Sequence, residues 1–354
     1  MVCAATYLPA QSQEVSEGWK PPEDGFDWIK LESGEWLKGE IRSMYNDSLE
    51  FDSDNLDLLT IDWADIHYLR SAEESSINVE GIGPVTGKLQ IDEQTVTITG
   101  EGESQNFSRF NLVSLSPSAD REIDFWSIDL TFSLNARQGN TDQIDYTSRF
   151  SAKRRTARSR VTVDYIGNIS KTDAGTGEFV ETINNNRITA GWDIYATRYF
   201  YYTPLFAEYY RDPFQNIDQR VTAGFGIGYS IVDTPKIEWN VKGGPAYVDI
   251  QYISVQAGQD RKVNGGALVL ATDYTNELSS YLDFSFKYHL TSASSDLGGY
   301  THNMIASLET ELTSRLDFDV SLTWDRISQP TADIDGNKPE PDDYRLMLGL
   351  SWSL

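Results

Sequence analysis

Histidine is the side chain that most often activates a hydrolytic nucleophile, and this chain has only His67, His289 and His302. An imidazole takes the proton from a serine hydroxyl and so makes that serine a nucleophile. Counting along the strand-like segments places no serine convincingly beside His289 or His302. We therefore predict no catalytic residues and no enzyme, with a surface hydrolase built around His302 as the alternative.

Metal chemistry has equally little support in the sequence. No cluster of residues has the spacing of a zinc site. The acidic segment from Asp333 to Asn337 resembles part of a calcium-binding loop but lacks the distal glutamate. We interpret this segment as a solvated surface turn, and we predict no metal and no cofactor.

Charged residues inside strand-like segments are the remaining candidates. Basic side chains fall on one parity of the second to fourth segments, namely Arg149, Lys153, Arg160 and Arg187. The matching parity of the ninth to eleventh segments carries Asp283, Glu309, Glu311, Asp317 and Asp319, together with Lys287 and His289.

In a closed barrel, the basic and the acidic group lie on opposite walls of the lumen. Opposed charges would create a transverse field that orients dipolar solutes and sets selectivity. Alternatively, the charges pair as salt bridges and close the lumen, because a barrel of about twelve strands is narrower than the porins of 16–18 strands with open channels. The residues alone leave both alternatives open.

Alternating apolar and polar residues define the segments that carry these side chains. The longest alternations run over residues 126–137, 220–231 and 344–354. Successive side chains of a strand point to opposite faces, so each segment has one apolar and one polar wall. This pattern is typical of a membrane-spanning barrel with lipid outside and a polar lumen inside. A water-soluble β-protein is the alternative.

Beyond Asp124 we count about twelve such segments, at residues 126–137, 143–153, 159–170, 182–196, 199–210, 218–231, 236–251, 262–274, 280–291, 299–312, 315–327 and 343–354. Their connections alternate between short and long, except that the first hairpin, around residues 139–142, is short where a long one is expected. Outer-membrane barrels have short periplasmic turns and longer external loops. This parity predicts that the region before the barrel lies in the periplasm.

Aromatic residues concentrate at both predicted ends of these segments, where amphipathic rings favour a membrane interface. The periplasmic ends carry Trp126, Tyr199, Tyr201, Trp239, Tyr274 and Trp352. The outer ends carry Tyr165, Tyr209, Tyr247, Tyr288, Tyr300, Trp324 and Tyr344.

Composition excludes other classes of protein. The net charge of −25 argues against nucleic acid as a partner, because phosphate binding requires clustered Lys and Arg. The sequence has no run of about 18 apolar residues, so a transmembrane helix is excluded. With Cys3 as the single cysteine, there is no internal disulfide.

Residues 1–26 are predicted to be a signal-peptide remnant followed by a flexible lead. Ala4–Ala10 looks like the tail of a signal peptide that ends at small residues. A start codon placed too late would explain the missing basic and apolar regions, and cleavage near Ala10 would remove Cys3. A lipid anchor on Cys3 is the alternative, although the apolar stretch expected before it is missing.

Residues 27–118 are predicted to form a β-domain made of short strands, with a weak internal repeat. Residues 36–41 match residues 85–89 around a glycine, and residues 61–69 match residues 107–115. The offset of about 46–48 residues suggests two small barrel-like modules in tandem. We favour a stabilising or spacing role for this domain, with partner binding as the alternative.

The segment from Trp126 to Tyr146, with its Gly-Asn-Thr turn, and the run from Glu208 to Asp218 resemble the YdiY-like family of salt-induced outer-membrane proteins. This family is catalogued as domain of unknown function 481. The resemblance covers roughly Asp124–Leu354, and it implies a barrel without implying a biochemical activity. Barrel-insertion machinery usually reads an aromatic last residue, whereas here Leu354 is last and Trp352 precedes it by two.

We therefore expect an all-β protein, with a periplasmic domain over residues 27–118 and a transmembrane antiparallel barrel of about twelve strands over residues 124–354. The expected location is the outer membrane of a Gram-negative bacterium. The expected function is a non-catalytic structural barrel or narrow channel, with a rim hydrolase or an anchor for a partner-binding domain as alternatives. Expected partners are membrane lipid and, during insertion, the barrel-assembly machinery; a periplasmic partner is not identified.

Overall fold

A computed structural model describes residues 20–45, 47–100, 102–117, 122–138, 142–173, 175–234, 236–279, 281–313 and 316–353, without the side chains of residues 117, 124, 137, 233 and 353. Residues 1–19 of the predicted leader, with Cys3, lie outside the described residues, as do the turn at residues 139–141 and Leu354. Within the described part of the chain, no helix is long and apolar enough to cross a membrane.

The N-terminal domain consists of ten strands: β1 (Asp27–Leu31), β2 (Trp36–Tyr45), β3 (Ser48–Ser53), β4 (Asp57–Asp62), β5 (Ile66–Arg70), β6 (Ser75–Val79), β7 (Gly83–Asp92), β8 (Thr95–Gly100), β9 (Glu103–Ser108) and β10 (Leu112–Pro117). Six of them close a small barrel in the order β1-β5-β7-β6-β10-β2, because β1 also pairs with β2. The hairpins β3-β4 and β8-β9 pair with β2 and β7, and both β3 and β8 contribute residues to the core. An apolar core fills this barrel, with Ile29, Phe51 and Ile77 fully buried.

The internal repeat is visible as two halves with the same order of elements. Each half has five strands, with a 3-10 turn between the fourth and the fifth, and each element of the second half begins 46–48 residues after its counterpart. The sequence repeat predicts two modules in tandem, whereas β5 pairs with β7 and β10 pairs with β2, so both halves contribute to one barrel. Interleaving buries both sets of apolar residues in a single core, which two such small barrels could not fill separately.

The C-terminal region is a closed barrel of twelve antiparallel strands: β11 (Trp126–Arg137), β12 (Asp142–Arg155), β13 (Ser159–Asp173), β14 (Val180–Tyr195), β15 (Phe200–Asp212), β16 (Ile217–Asp233), β17 (Ile237–Tyr252), β18 (Lys262–Ser279), β19 (Leu282–Ser292), β20 (Tyr300–Thr313), β21 (Leu316–Ile327) and β22 (Asp342–Ser353). Strand β11 pairs with β22 from Asp129↔Ser353 to Phe132↔Leu350, which closes the ladder. The predicted fold class is therefore confirmed.

Alternation gives the barrel an apolar outside and a polar inside. On the outer surface Phe132 is 63 % exposed and Phe225 61 %, whereas on the inner surface Ser321 is fully buried. Because strand side chains alternate, the same residues that make the outer wall apolar force the polar residues between them into the lumen.

The barrel has two distinct ends. We call the end with the tight connections at residues 156–158, 196–199, 234–236, 280–281 and 314–315 the domain end, because the N-terminal domain contacts it. The loop end carries longer connections, including residues 253–261 and 328–341. The largest difference from the predicted strand limits is at β18, which runs to Ser279 instead of residue 274, because Thr275 pairs with Ser285 and Glu277 pairs with Asp283.

The barrel lumen as candidate functional site

The strand register places the predicted charged residues on the lumen side of their strands. Arg187, for example, lies opposite Ile166 and Tyr210, and Asp319 lies opposite Glu309 and Gly349. The full set on this side is Arg149, Lys153, Arg160, Arg187, Asp283, Lys287, His289, Glu309, Glu311, Asp317 and Asp319. Whether they line a conducting path stays a prediction.

Arg187 bridges the lumen between nearly opposite walls. From β14, the fourth strand of the barrel, its Nη2 lies 2.6 Å from Oδ1 of Asp325 on β21, the eleventh strand. Its Nη1 lies 3.3 Å from Glu208, which also pairs with Arg220 at 3.0 Å. Both guanidinium groups stack on the Tyr210 ring, at 4.6 and 4.8 Å. This cluster, the Arg187 layer, is a buried charge network across the barrel.

Two further ion pairs cross the lumen. Lys287 on β19 lies 3.5 Å from Asp164 on β13, the diametrically opposite strand. Near the domain end, Arg155 lies 3.9 Å from Glu238 on β17. Each wall therefore carries both signs of charge: Asp164 lies on the wall expected to be basic, and Lys287 on the wall expected to be acidic.

Two further predicted basic residues have carboxylate partners, Arg160 on the neighbouring strand and Arg149 on β21. Arg160 forms two hydrogen bonds to Asp193, at 3.1 and 2.9 Å, and Asp193 accepts a third from Thr203. Arg149 approaches Asp319 at 3.8 Å. The charged residues of the lumen thus form a network of pairs in which each arginine named here has a carboxylate neighbour.

Sequence reasoning missed several partners of the predicted residues. Asp164, Glu208 and Asp325 were not singled out, although they lie on the same parity as the predicted residues. Counting every charged residue of lumen parity would have found them. Which of them meet across the barrel depends on strand stagger, which the sequence pattern does not encode.

A cavity of about 400 Å³ occupies the domain end of the lumen. Its wall is acidic, with Arg149 as the basic residue among those that line it. The carboxylates are Asp129, Asp283, Glu309, Glu311, Asp317 and Asp319. The cavity is thus a polar pocket whose charge would attract cations and repel anions.

At the loop end the lumen is filled by apolar side chains. Tyr210, Ile250, Tyr252, Leu297 and Ile327 pack together there and are each at most 8 % exposed. We call this cluster the apolar cap. Close apolar packing of this kind excludes water.

Asn216, in the connection between β15 and β16, ties the loops of this end together. Its backbone is left-handed, with φ of 60°. Its side chain donates to the carbonyl of Ser254 at 2.8 Å and of Thr331 at 3.3 Å, and it accepts from the Ser254 amide at 3.1 Å. The Asn216 side chain therefore links three of the connections between strands.

The side chains considered for hydrolytic or metal chemistry, His302 and Asp333, make contacts that serve the fold. The Tyr288 hydroxyl, rather than a serine, lies 2.7 Å from Nδ1 of His302, and the His302 ring stacks on Trp324 with centroids 5.5 Å apart. The Asp333 carboxylate accepts amides of its own turn, from Asp335 and Asn337. Among the described residues, no group of three or more His, Cys, Asp or Glu is arranged to hold a metal ion.

The chain resembles solved outer-membrane proteins only distantly. A structure described as the NanC porin has a TM-score of 0.39 and 11 % identity, covering 64 % of this chain and 100 % of that one. The translocator domain of the autotransporter NalP from Neisseria meningitidis gives 0.33 and 12 %, covering 64 % and 86 %. The outer-membrane channel DcaP of Acinetobacter baumannii gives 0.30 and 13 %, covering 93 % and 94 %.

No curated protein matches this chain. A family model, described as "Protein of unknown function, DUF481", does match, over residues 130–353. This range spans all strands of the barrel except the beginning of β11. The chain therefore belongs to the DUF481 family of proteins of unknown function, as the resemblance of its barrel segments suggested.

Proposed function

We propose that this chain is an integral outer-membrane barrel without catalysis, whose lumen is closed at rest and which holds its N-terminal domain at the periplasmic end. The observation that carries this proposal is the Arg187 layer, since Arg187 and Asp325 meet at 2.6 Å from nearly opposite walls. A barrel whose lumen is bridged from wall to wall by an ion pair leaves little room for a solute.

The outer surface supports insertion into a membrane. The closed ladder pairs its strands without a free edge, which is the condition for a sheet to cross lipid. The outer wall exposes many large apolar side chains, among them Phe132, Leu134, Phe225, Tyr344 and Leu346. The N-terminal domain lies at the end with the tight turns, which is the periplasmic end in outer-membrane barrels. Membrane lipid and, during insertion, the barrel-assembly machinery are the partners that follow.

Closure has three components. The apolar cap and the Arg187 layer adjoin each other toward the loop end, where they share Tyr210. Lys287 and Arg155 reach across the lumen nearer the domain end. Removing one ion pair would leave the other two components in place. We therefore assign the barrel a structural role, as the anchor of the N-terminal domain.

A narrow cation channel is the second candidate, and the acidic cavity is the observation that favours it. Its carboxylates would concentrate cations at the domain end. Conduction would then require the Arg187 layer and the apolar cap to open. A rim hydrolase has weaker support, because the described partners of His302 are Tyr288 and Trp324.

A flux assay in liposomes separates these functions. The refolded full chain, with its barrel confirmed by heat-modifiable gel mobility, is expected to leave K⁺ and Cl⁻ gradients as stable as those of empty liposomes. Leakage of K⁺ well above that of Cl⁻, reduced by Glu309→Gln with Asp319→Asn, would instead establish the cation channel. Equal leakage of both ions would contradict closure and selectivity alike.

A further inference from the structure

Arg198 joins the barrel to the N-terminal domain. It lies in the tight connection between β14 and β15, and its guanidinium donates to the carbonyl of Leu112 at 2.9 Å and of Arg109 at 3.3 Å. The same guanidinium pairs with the carboxylate of Asp47 at 2.7 Å. The guanidinium of this one arginine thus binds two backbone carbonyls and a carboxylate.

Smaller contacts surround this site. The Tyr199 hydroxyl donates to Asp47 at 2.7 Å. Val113 packs against Tyr195 and Tyr201 of the barrel and is 3 % exposed. The Ser114 hydroxyl donates to the carbonyl of Ala157. Val113 is therefore buried by the contact between the domain and the barrel, so its burial reports whether the domain is docked.

A second arginine occupies the equivalent site in the other half of the domain. The Arg109 guanidinium donates to the carbonyls of Trp63 and Ile66, the latter at 2.6 Å, and lies over the Trp63 ring at 4.6 Å. In the repeat, Trp63 corresponds to Arg109 and Ile66 to Leu112, because the 3-10 turns Trp63–Asp65 and Arg109–Asn111 are equivalent elements. The two arginines bind the same pair of carbonyls, one in each half.

The chemistry explains why an arginine fits there. In each half, the carbonyl of the first residue of the 3-10 turn accepts the amide of the residue after the turn, and it also accepts from the guanidinium. A carbonyl oxygen has two lone pairs, so it can accept both hydrogen bonds. A guanidinium offers several donors in one plane, and so it reaches both carbonyls together, whereas a lysine ammonium is a single point.

We propose that this pair of carbonyls is an arginine-recognition site that the domain uses twice. In the first half it takes Arg109 and holds the two halves together. In the second half it takes Arg198 and fixes the domain on the barrel. The ligand class is thus an arginine side chain on a tight turn, and the barrel's own Arg198 is its occupant.

The test follows the burial of two cysteines in the full chain after Cys3→Ser. Val113→Cys reports docking, and Ile77→Cys, at a fully buried core position, reports folding of the domain. Arg198→Ala is expected to raise the maleimide labelling rate of Val113→Cys by about tenfold or more, because hydrogen bonds to a charged group are lost. Ile77→Cys is expected to stay protected. Arg198→Lys is expected to give an intermediate rate.

Two arginine variants serve as comparisons. Arg158→Ala removes an exposed arginine from the neighbouring turn and is expected to leave both labelling rates unchanged. Arg109→Ala is expected to expose both cysteines, because its site lies between the two halves of the domain. Protection of Val113→Cys in Arg198→Ala equal to that in the parent would overturn the proposal. Labelling of Ile77→Cys in Arg198→Ala would also overturn it, because Arg198 would then act on folding.

Discussion

The two barrels of this chain are built inside out relative to each other. The small barrel of the N-terminal domain buries Ile29, Phe51 and Ile77 completely. The large barrel buries Ser321 completely and Asp319 to 4 % exposure, while Phe132 on its outer face is 63 % exposed. Both are made of alternating strands, so alternation fixes which residues share a face but not which face is inside.

The difference teaches what stabilises each barrel. The small barrel is held by apolar burial, which contributes about 25 cal/mol for each Å² removed from water. The large barrel has a polar interior, so its inner wall depends on the mutual satisfaction of charges and hydroxyls. Deleting one member of such a network leaves its partner buried and unpaired, which costs more than the pair itself contributes.

The largest expected effect comes from breaking the charge network inside the large barrel. Arg187→Gln is expected to lower the free energy of unfolding by about 3–5 kcal/mol, because Asp325 is left as an uncompensated charge. Adding Asp325→Asn is expected to restore part of this loss. Urea unfolding in lipid vesicles, followed by heat-modifiable mobility, measures both variants.

Arg326→Gln is the matched control for this prediction. Arg326 pairs with Asp342 at 2.5 Å, but its side chain is 39 % exposed at the loop end. An exposed pair contributes about 1 kcal/mol or less. An effect of Arg187→Gln no larger than that of Arg326→Gln would show that the lumen charges carry no more stability than surface charges.

The second prediction replaces one phenylalanine by alanine in each barrel. Phe51→Ala opens a cavity in the small barrel and is expected to cost the domain about 3–5 kcal/mol. Phe132→Ala on the outer face is expected to cost the large barrel about 1–2 kcal/mol, because lipid chains fill the space. Protease resistance of the domain and gel mobility of the barrel measure the two separately, and equal costs would contradict the inside-out assignment.

The smallest expected effect concerns the titration of Asp27, a half-buried acid of the small barrel. Asp27 accepts the amides of Ile41 and Ala72, each at 2.6 Å, and burial, with Glu40 and Glu73 nearby, raises the pKa of its carboxyl above 3.8. The folded domain therefore binds this proton more tightly than the unfolded chain does. Its stability is expected to fall slightly as the pH rises from 3.8 through the raised pKa.

Urea unfolding of the domain across this pH range measures the effect, with Asp27→Asn as the control. The asparagine does not titrate, so the pH-dependent part should disappear even if the variant is less stable overall. If the parent instead gained stability relative to Asp27→Asn as the pH rises over this window, the two amides would outweigh burial.

Strand positions in the large barrel could be predicted from the sequence because alternation is a local property. β11 matches its predicted limits of 126–137, and most others differ by a few residues at their ends. The end of β18 was missed because Asn276, on the outer face opposite Phe284, interrupts the apolar pattern.

The candidate site was less predictable because its contacts are long-range. Arg187 and Asp325 are 138 residues apart, and their meeting depends on barrel closure and stagger. The use of Arg198 by the N-terminal domain was likewise invisible, since backbone carbonyls leave no mark in the sequence. The repeat offset was readable, but only the structure shows that both halves present the same pair of carbonyls.

Single-channel recording in planar bilayers tests the central claim, a lumen closed at rest, most directly. The full chain, shown to be folded by its heat-modifiable mobility, is expected to insert without current steps at moderate voltage. The Arg187→Gln/Asp325→Asn variant is also expected to be silent, because the apolar cap at the loop end remains. Stable steps from the parent chain would contradict closure and would make the acidic cavity the entrance of a channel.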